Sequence, residues 1–72
     1  MCEHILVEFE ETRVVIIDGF SSGNDTGTVI DVEPGKHSVS LSGEKNFLPE
    51  KQIVDPTGTT ELDPLKVNFT RA

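Results

Sequence analysis

Between His37 and Ser42 the chain alternates without a break, with His37, Val39 and Leu41 in one set and Ser38, Ser40 and Ser42 in the other. Side chains of a strand point to opposite faces in turn, so this order makes one dry face and one wet face. A helix would scatter the same residues around its circumference. Most of the remaining apolar segments follow the same period of two, and no window offers a capped, amphipathic helix.

Several runs repeat the signal. Residues 4–9 form a β-rich run with Ile5, Val7 and Phe9 on one face and Leu6 on the other; Glu8, Glu10 and Glu11 suit an edge strand that must discourage unwanted pairing. Residues 13–17 are apolar and β-branched after Arg13, which predicts a central strand covered on both faces and ending at the turn pair Asp18-Gly19. Residues 21–27 are small and polar and read as a loop, with Phe20 at its start; residues 28–32 read as a strand. Pro34-Gly35 suits a type II turn, whose twist does not match a tight hairpin, so a wide loop or a crossing between sheets is expected there. After a turn over 43–46, residues 47–54 read as one strand, with Pro49 near its start or on an open edge. Asp55-Pro56-Thr57-Gly58 fits a type I turn, and residues 59–69 give a last strand or strand pair interrupted near Pro64, with Leu65, Val67 and Phe69 inward. Six or seven short strands with turns at this spacing indicate a single all-β domain over 1–72, a small antiparallel β-sandwich of the prealbumin or immunoglobulin kind.

Size sharpens that reading. A chain of 72 residues forms one domain whose net stability is only a few kcal/mol. Cys2 is the only cysteine, so no disulfide can form within the chain. The two histidines, far apart, do not make an ordinary zinc site with it. The aliphatic and Phe side chains must therefore fill the interior, which leaves little room for an active-site cleft.

Charge excludes other classes. The net charge is −7, and the six Lys and Arg residues are spread singly, which opposes binding to nucleic acid or to anionic membrane surfaces. No apolar run has transmembrane length and the start does not resemble a signal peptide, so a cytoplasmic chain is expected; removal of a signal would instead place it in the cell envelope or outside the cell.

Laid end to end, the run Val14-Val15-Ile16-Ile17-Asp18-Gly19, the pair Gly27-Thr28, the segment Pro34-Gly35-Lys36-His37 and the following Val39 and Leu41 resemble the PEGA domain. Gly43 and Phe47 sit where that family tends to have a glycine-aromatic corner. The resemblance covers roughly 13–69. The chain departs from the family pattern where Glu10-Glu11-Thr12-Arg13 replaces the Pro-x-Gly-Ala lead-in and where Val29 replaces the Pro after Gly-Thr. The resemblance implies a non-catalytic, prealbumin-like bacterial or archaeal sandwich, often attached to larger proteins at the cell surface, with a role in protein or surface interaction.

The residues that could carry chemistry are few. His37 belongs at the rim of the core, hydrogen-bonded near the Pro34-Gly35 turn, and His4 lies near a terminus, where fraying is expected. No nucleophile, base and orienting acid fall together, and Glu10-Glu11 is not an acid-base dyad. The loop after Gly19 has no Lys or Arg and leads into a strand, which opposes a phosphate cradle. Asp18, Asn24, Asp25 and Asp31 are hard oxygen donors on or beside that loop, the residues a weak surface calcium site would use, although their spacing fits no EF-hand. Cys2 reads as an incidental exposed thiol, with a reactive thiol or a lipid-attachment cysteine as the functional alternatives. Glycan stacking normally uses Trp or Tyr, and the chain has neither; Phe20 alone lies in a loop where it could serve.

Two functional readings follow, neither with a cofactor. The first is a protein-interaction or structural module that uses a sheet edge, for a partner or for self-association, or a loop end made by Phe20, Ser21, Ser22 and Asn24. The second is a glycan- or calcium-binding sandwich module of a cell-envelope protein.

Overall fold

A computed structural model describes residues 2–72. These residues contain nine strands: β1 (Glu3–Glu8), β2 (Val14–Ile17), β3 (Phe20–Asp25), β4 (Val29–Val32), β5 (His37–Leu41), β6 (Phe47–Leu48), β7 (Gln52–Val54), β8 (Leu65–Asn68) and β9 (Thr70–Arg71). They form a three-stranded sheet ordered β4-β1-β8, a four-stranded sheet ordered β3-β2-β5-β7 and a two-stranded ribbon of β6 and β9. The all-β architecture is as the alternation requires, and no helix is long and apolar enough to cross a membrane among the described residues.

The alternating residues fill the space between the two larger sheets. Ile5 and Val7 of β1, Ile30 and Val32 of β4 and Val67 of β8 face Val15 of β2 and Val39 and Leu41 of β5, all buried. Phe47 and Phe69 close one end of this core. Fully burying such an aliphatic side chain contributes about 1.5–3 kcal/mol, so a chain of this size depends on each of them. Among the described residues, no buried side-chain polar atom lacks a hydrogen-bond partner.

The Phe end is tied together by Arg13. Its guanidinium lies 5.5 Å from the centre of the Phe9 ring. Phe9 meets Phe47 edge to face at 6.1 Å, and Phe47 meets Phe69 in the same way at 5.6 Å. An arginine has five N–H donors. Here Nε and Nη2 donate to Glu11, Nη2 also donates to Asn46 Oδ1 at 2.9 Å, and Nη1 donates to the carbonyls of Ser42 and Glu44 at 3.0 and 3.2 Å. Arg71 adds ion pairs to Glu10 and Glu11 at 3.1 and 2.7 Å, which draws the last strand to the link between β1 and β2. The acidic residues after β1 are therefore spent on arginines.

Other expectations need correction. β1 is no edge strand; it lies between β4 and β8, because its unbroken inward face of Ile5 and Val7 is at the centre of the core. The sandwich is also not wholly antiparallel, since β8 runs parallel to β1 with Ile5 opposite Leu65 and Val7 opposite Val67. β2 is central in its sheet but covered on one face only: Val15 is buried, while Val14 and Ile16 are half exposed on the outside. Residues 47–54 make two strands in different sheets, with the break at residues 49–51 around Pro49. No backbone hydrogen bond closes the expected turn at 55–58, where Pro56 is instead fully buried; Thr60 and Asp63 exchange the bonds that close a turn, at 3.2 and 3.1 Å. The crossing expected at Pro34-Gly35 is present, since β4 and β5 belong to different sheets.

Replacing Arg13 by Lys keeps the charge but loses the planar set of donors, leaving carbonyls of the Ser42–Asn46 turn without partners. We expect a loss of about 2 kcal/mol, read as a lower urea midpoint at unchanged slope. Phe47→Ala removes the middle ring of the aromatic row, and its expected cost of about 3–5 kcal/mol leaves most of the chain unfolded at room temperature by near-ultraviolet circular dichroism.

Candidate functional site

The hairpin from β2 to β3 turns on two residues, Asp18 and Gly19, both with positive φ, 53° and 84°. This is the backbone of a type I′ turn, which matches strand twist and sends the chain straight back along β2. The segment expected to be a loop is thereby a strand, β3, despite its small polar residues. Asp18 is held in the left-handed region by its own bonds. Its N–H donates to the Ser38 carbonyl at 2.9 Å, and its Oδ1 accepts from the Ser38 N–H at 3.0 Å.

The second carboxylate oxygen of Asp18 meets His37 Nδ1 at 2.7 Å, and His37 Nε2 meets the Glu33 carbonyl at 2.6 Å. Both partners are acceptors, so the ring satisfies both only as the doubly protonated imidazolium. The bond to Asp18, then that to the Glu33 carbonyl, raises the His37 pKa above its ordinary value of 6.5. The bond from His37, then that from the Ser38 N–H, lowers the Asp18 pKa below 3.8. His37 thus sits at the rim of the core as its place on β5 requires, clasping the β2–β3 turn to the crossing between sheets.

Beside this clasp, on the side where β3 of one sheet faces β4 of the other, lies an open depression of about 320 Å³. Ile17, Ile30 and Val32 give it an apolar floor, and Asp18, Asp31 and Glu33 set three carboxylates around it with Ser22, Asn24 and His37. Of the calcium candidates, the fold gathers Asp18, Asn24 and Asp31 here and leaves Asp25 outside, opposite Val14. Asp18 already serves His37 and Ser38, and Asp31 Oδ1 is 2.7 Å from His4 Nδ1. No group of three or more His, Cys, Asp or Glu able to hold a metal exists among the described residues.

Of the residues expected at a loop end, Ser22 and Asn24 line the depression, while Ser21 lies opposite Ile16 on the outer face of the four-stranded sheet. Phe20 opens β3 and is 78% exposed. His4 is not frayed: besides its contact with Asp31, its N–H donates to Thr59 Oγ1 at 2.7 Å, and Glu3 accepts from the Thr59 N–H and hydroxyl. Cys2 is an exposed free thiol.

The edges of the two sheets differ in how they are finished. Along β3 the chain bonds to itself: the Asn24 N–H donates to Ser22 Oγ at 3.1 Å, Ser22 Oγ donates to the Asn24 carbonyl at 3.3 Å, and Asn24 Nδ2 donates to the Ser22 carbonyl at 3.3 Å. β7 has three residues, lies between Pro49 and Pro56, and follows Lys51. β8 carries Lys66, and its Asn68 carbonyl accepts from Gln52 Nε2 at 2.7 Å. Short strands, prolines and lysines are the usual protections of an edge.

β4 is finished differently. The His4 N–H turns toward Thr59 and the Val7 carbonyl accepts from the Gly27 N–H, so the odd residues of β1 face β4 and the even ones face away. In the antiparallel pairing Ile5 lies opposite Ile30 and Glu3 opposite Val32, which turns the N–H and C=O groups of Val29 and Asp31 outward. No strand pairs with that side among the described residues. On the outer face of the same strand a second depression, about 440 Å³, is lined by Thr28, Val29, Asp31, Glu61 and the 98% exposed Leu62. The β4 edge therefore lies between two hollows. Nothing in the composition of Val29–Val32 marks it as an open edge; the signal lies in the order of the strands.

The His37 clasp gives a pH profile. Because the folded state raises the His37 pKa, its contribution is complete below about pH 6.5 and is lost as pH rises through the folded value. Because the folded state lowers the Asp18 pKa, that contribution is complete above about pH 3.8 and is lost as pH falls through the folded value. Melting temperatures should decline above about pH 6.5 in the native chain, and His37→Gln should remove that alkaline decline.

No family model, curated protein or solved structure matches this chain.

Proposed function

We propose that this chain is a non-catalytic protein-interaction module that binds by accepting a partner's strand along β4. The observation that carries the reading is the row of outward N–H and C=O groups at Val29 and Asp31 on an edge that no other strand covers. In strand addition, main-chain hydrogen bonds give affinity while pockets for alternate side chains give selectivity. β4 offers both, and the self-bonded β3, the short β7 and the lysine-bearing β8 offer less. The PEGA-like run of turns and strands supports the same class of function, an interaction role on a sandwich scaffold.

Peptides selected from a random extended library on the native domain should lose binding to Val29→Pro, which deletes an outward N–H at an edge position that proline tolerates. A native-like amide spectrum for that variant shows that the loss belongs to the edge. Selected peptides that bind both forms equally would overturn the reading.

A further inference from the structure

Edge addition at β4 has a chemical preference built into its surroundings. A strand laid against Val29–Val32 points alternate side chains to opposite faces. One set hangs over the depression that Asp18, Asp31 and Glu33 surround, and the other over the hollow beside Glu61 and Leu62. No lysine or arginine lines either hollow, and the protonated His37 at the first is paired with Asp18. Among the described residues the carboxylates of Glu33 and Glu61 make no hydrogen bond or ion pair, whereas Asp18 and Asp31 are occupied by the two histidines. The depression lined by Leu41 and Phe47 instead carries Lys45 and Lys51 beside a single carboxylate, Glu50. The field at the β4 edge is thus negative on both faces, and the net charge of −7 reinforces it at longer range.

We infer that the β4 edge takes an extended protein segment that turns lysine or arginine side chains to both of its faces, with small aliphatic residues between them. This rests on the edge reading above and names the partner's chemistry. The carboxylates attract the basic side chains, and Asp31 in the middle of the edge repels an acidic strand, a second copy of β4 included. The apolar floor of Ile17, Ile30 and Val32 and the side chain of Leu62 accept the aliphatic stems that carry those charges.

The test uses the full chain labelled with ¹⁵N and three synthetic ten-residue peptides that turn the polar residue to both faces: repeats of Lys-Lys-Val-Val, of Glu-Glu-Val-Val and of Thr-Thr-Val-Val. The lysine peptide should shift the amide signals of Val29, Asp31 and Glu33, weaken as salt is raised, and bind at least tenfold more tightly than the threonine peptide. The double variant Glu33→Gln/Glu61→Gln, altered only at exposed side chains, should weaken the lysine peptide by about fivefold while leaving the threonine peptide unchanged. Equal shifts at β4 with all three peptides would overturn the preference for a basic partner and leave the edge reading standing. No response at β4 to any peptide would overturn both. Concentration-dependent broadening of the β4 signals without peptide would show that a second copy occupies the edge, and would overturn the inference.

Discussion

The fold depends first on one guanidinium. Arg13 uses all of its donor groups within reach of Glu11 and the Ser42–Asn46 turn, and it covers the ring of Phe9. Its side chain is only 14% exposed, so these bonds operate with little competition from water. In a chain that has one cysteine and no internal disulfide, this is the cross-link that fixes the acidic connection after β1 to the turn between β5 and β6. Gly43 is needed for the same reason: a Cβ there would lie 3.2 Å from Arg13 Nη1, and its φ of +86° already favours glycine. The aromatic row from Phe9 to Phe69 then packs beneath the arginine, and Arg71 returns the chain end to the same place.

Much of this architecture is legible in the residues, and the illegible parts share a cause. Alternation predicts β5, the inward faces of β1 and β8 and the rim position of His37, because each depends only on near neighbours. The crossing at Pro34-Gly35 is also readable, from the twist of the turn. β3 escapes a reading by composition, since Ser, Gly, Asn and Asp have low strand propensity. It exists because the two-residue turn at Asp18-Gly19 lays it against β2, and that turn was the available signal. The centrality of β1 and its parallel pairing with β8 involve residues some sixty positions apart, about which local pattern is silent. The candidate site shows the same division: the donors at Asp18, Asn24 and Asp31 are visible as residue types, while their histidine partners, which occupy two of them, are set by topology alone.

The two histidine–aspartate pairs divide the labour around β4. His4 and Asp31 join β1 to β4 across the outer face, and His37 with Asp18 and the Glu33 carbonyl closes the loop leaving β4. The edge strand is thus secured on its inner side and at its exit, and its outward groups stay exposed. A surface that is rigid before a partner arrives loses little conformational freedom on binding, which favours affinity from a small contact area.

The parallel pairing of β1 with β8 bears on how the chain assembles. During synthesis β1 can meet β4 once the first half has emerged, yet its other flank stays bare until residues 65–68 are made. The largest loop closure in the molecule is therefore also among the last, a topology associated with slow folding. Through that interval the sheet is only the pair of β4 and β1, open on both sides, and the lysine at position 66 brings, along with the missing strand, a charge that discourages further stacking.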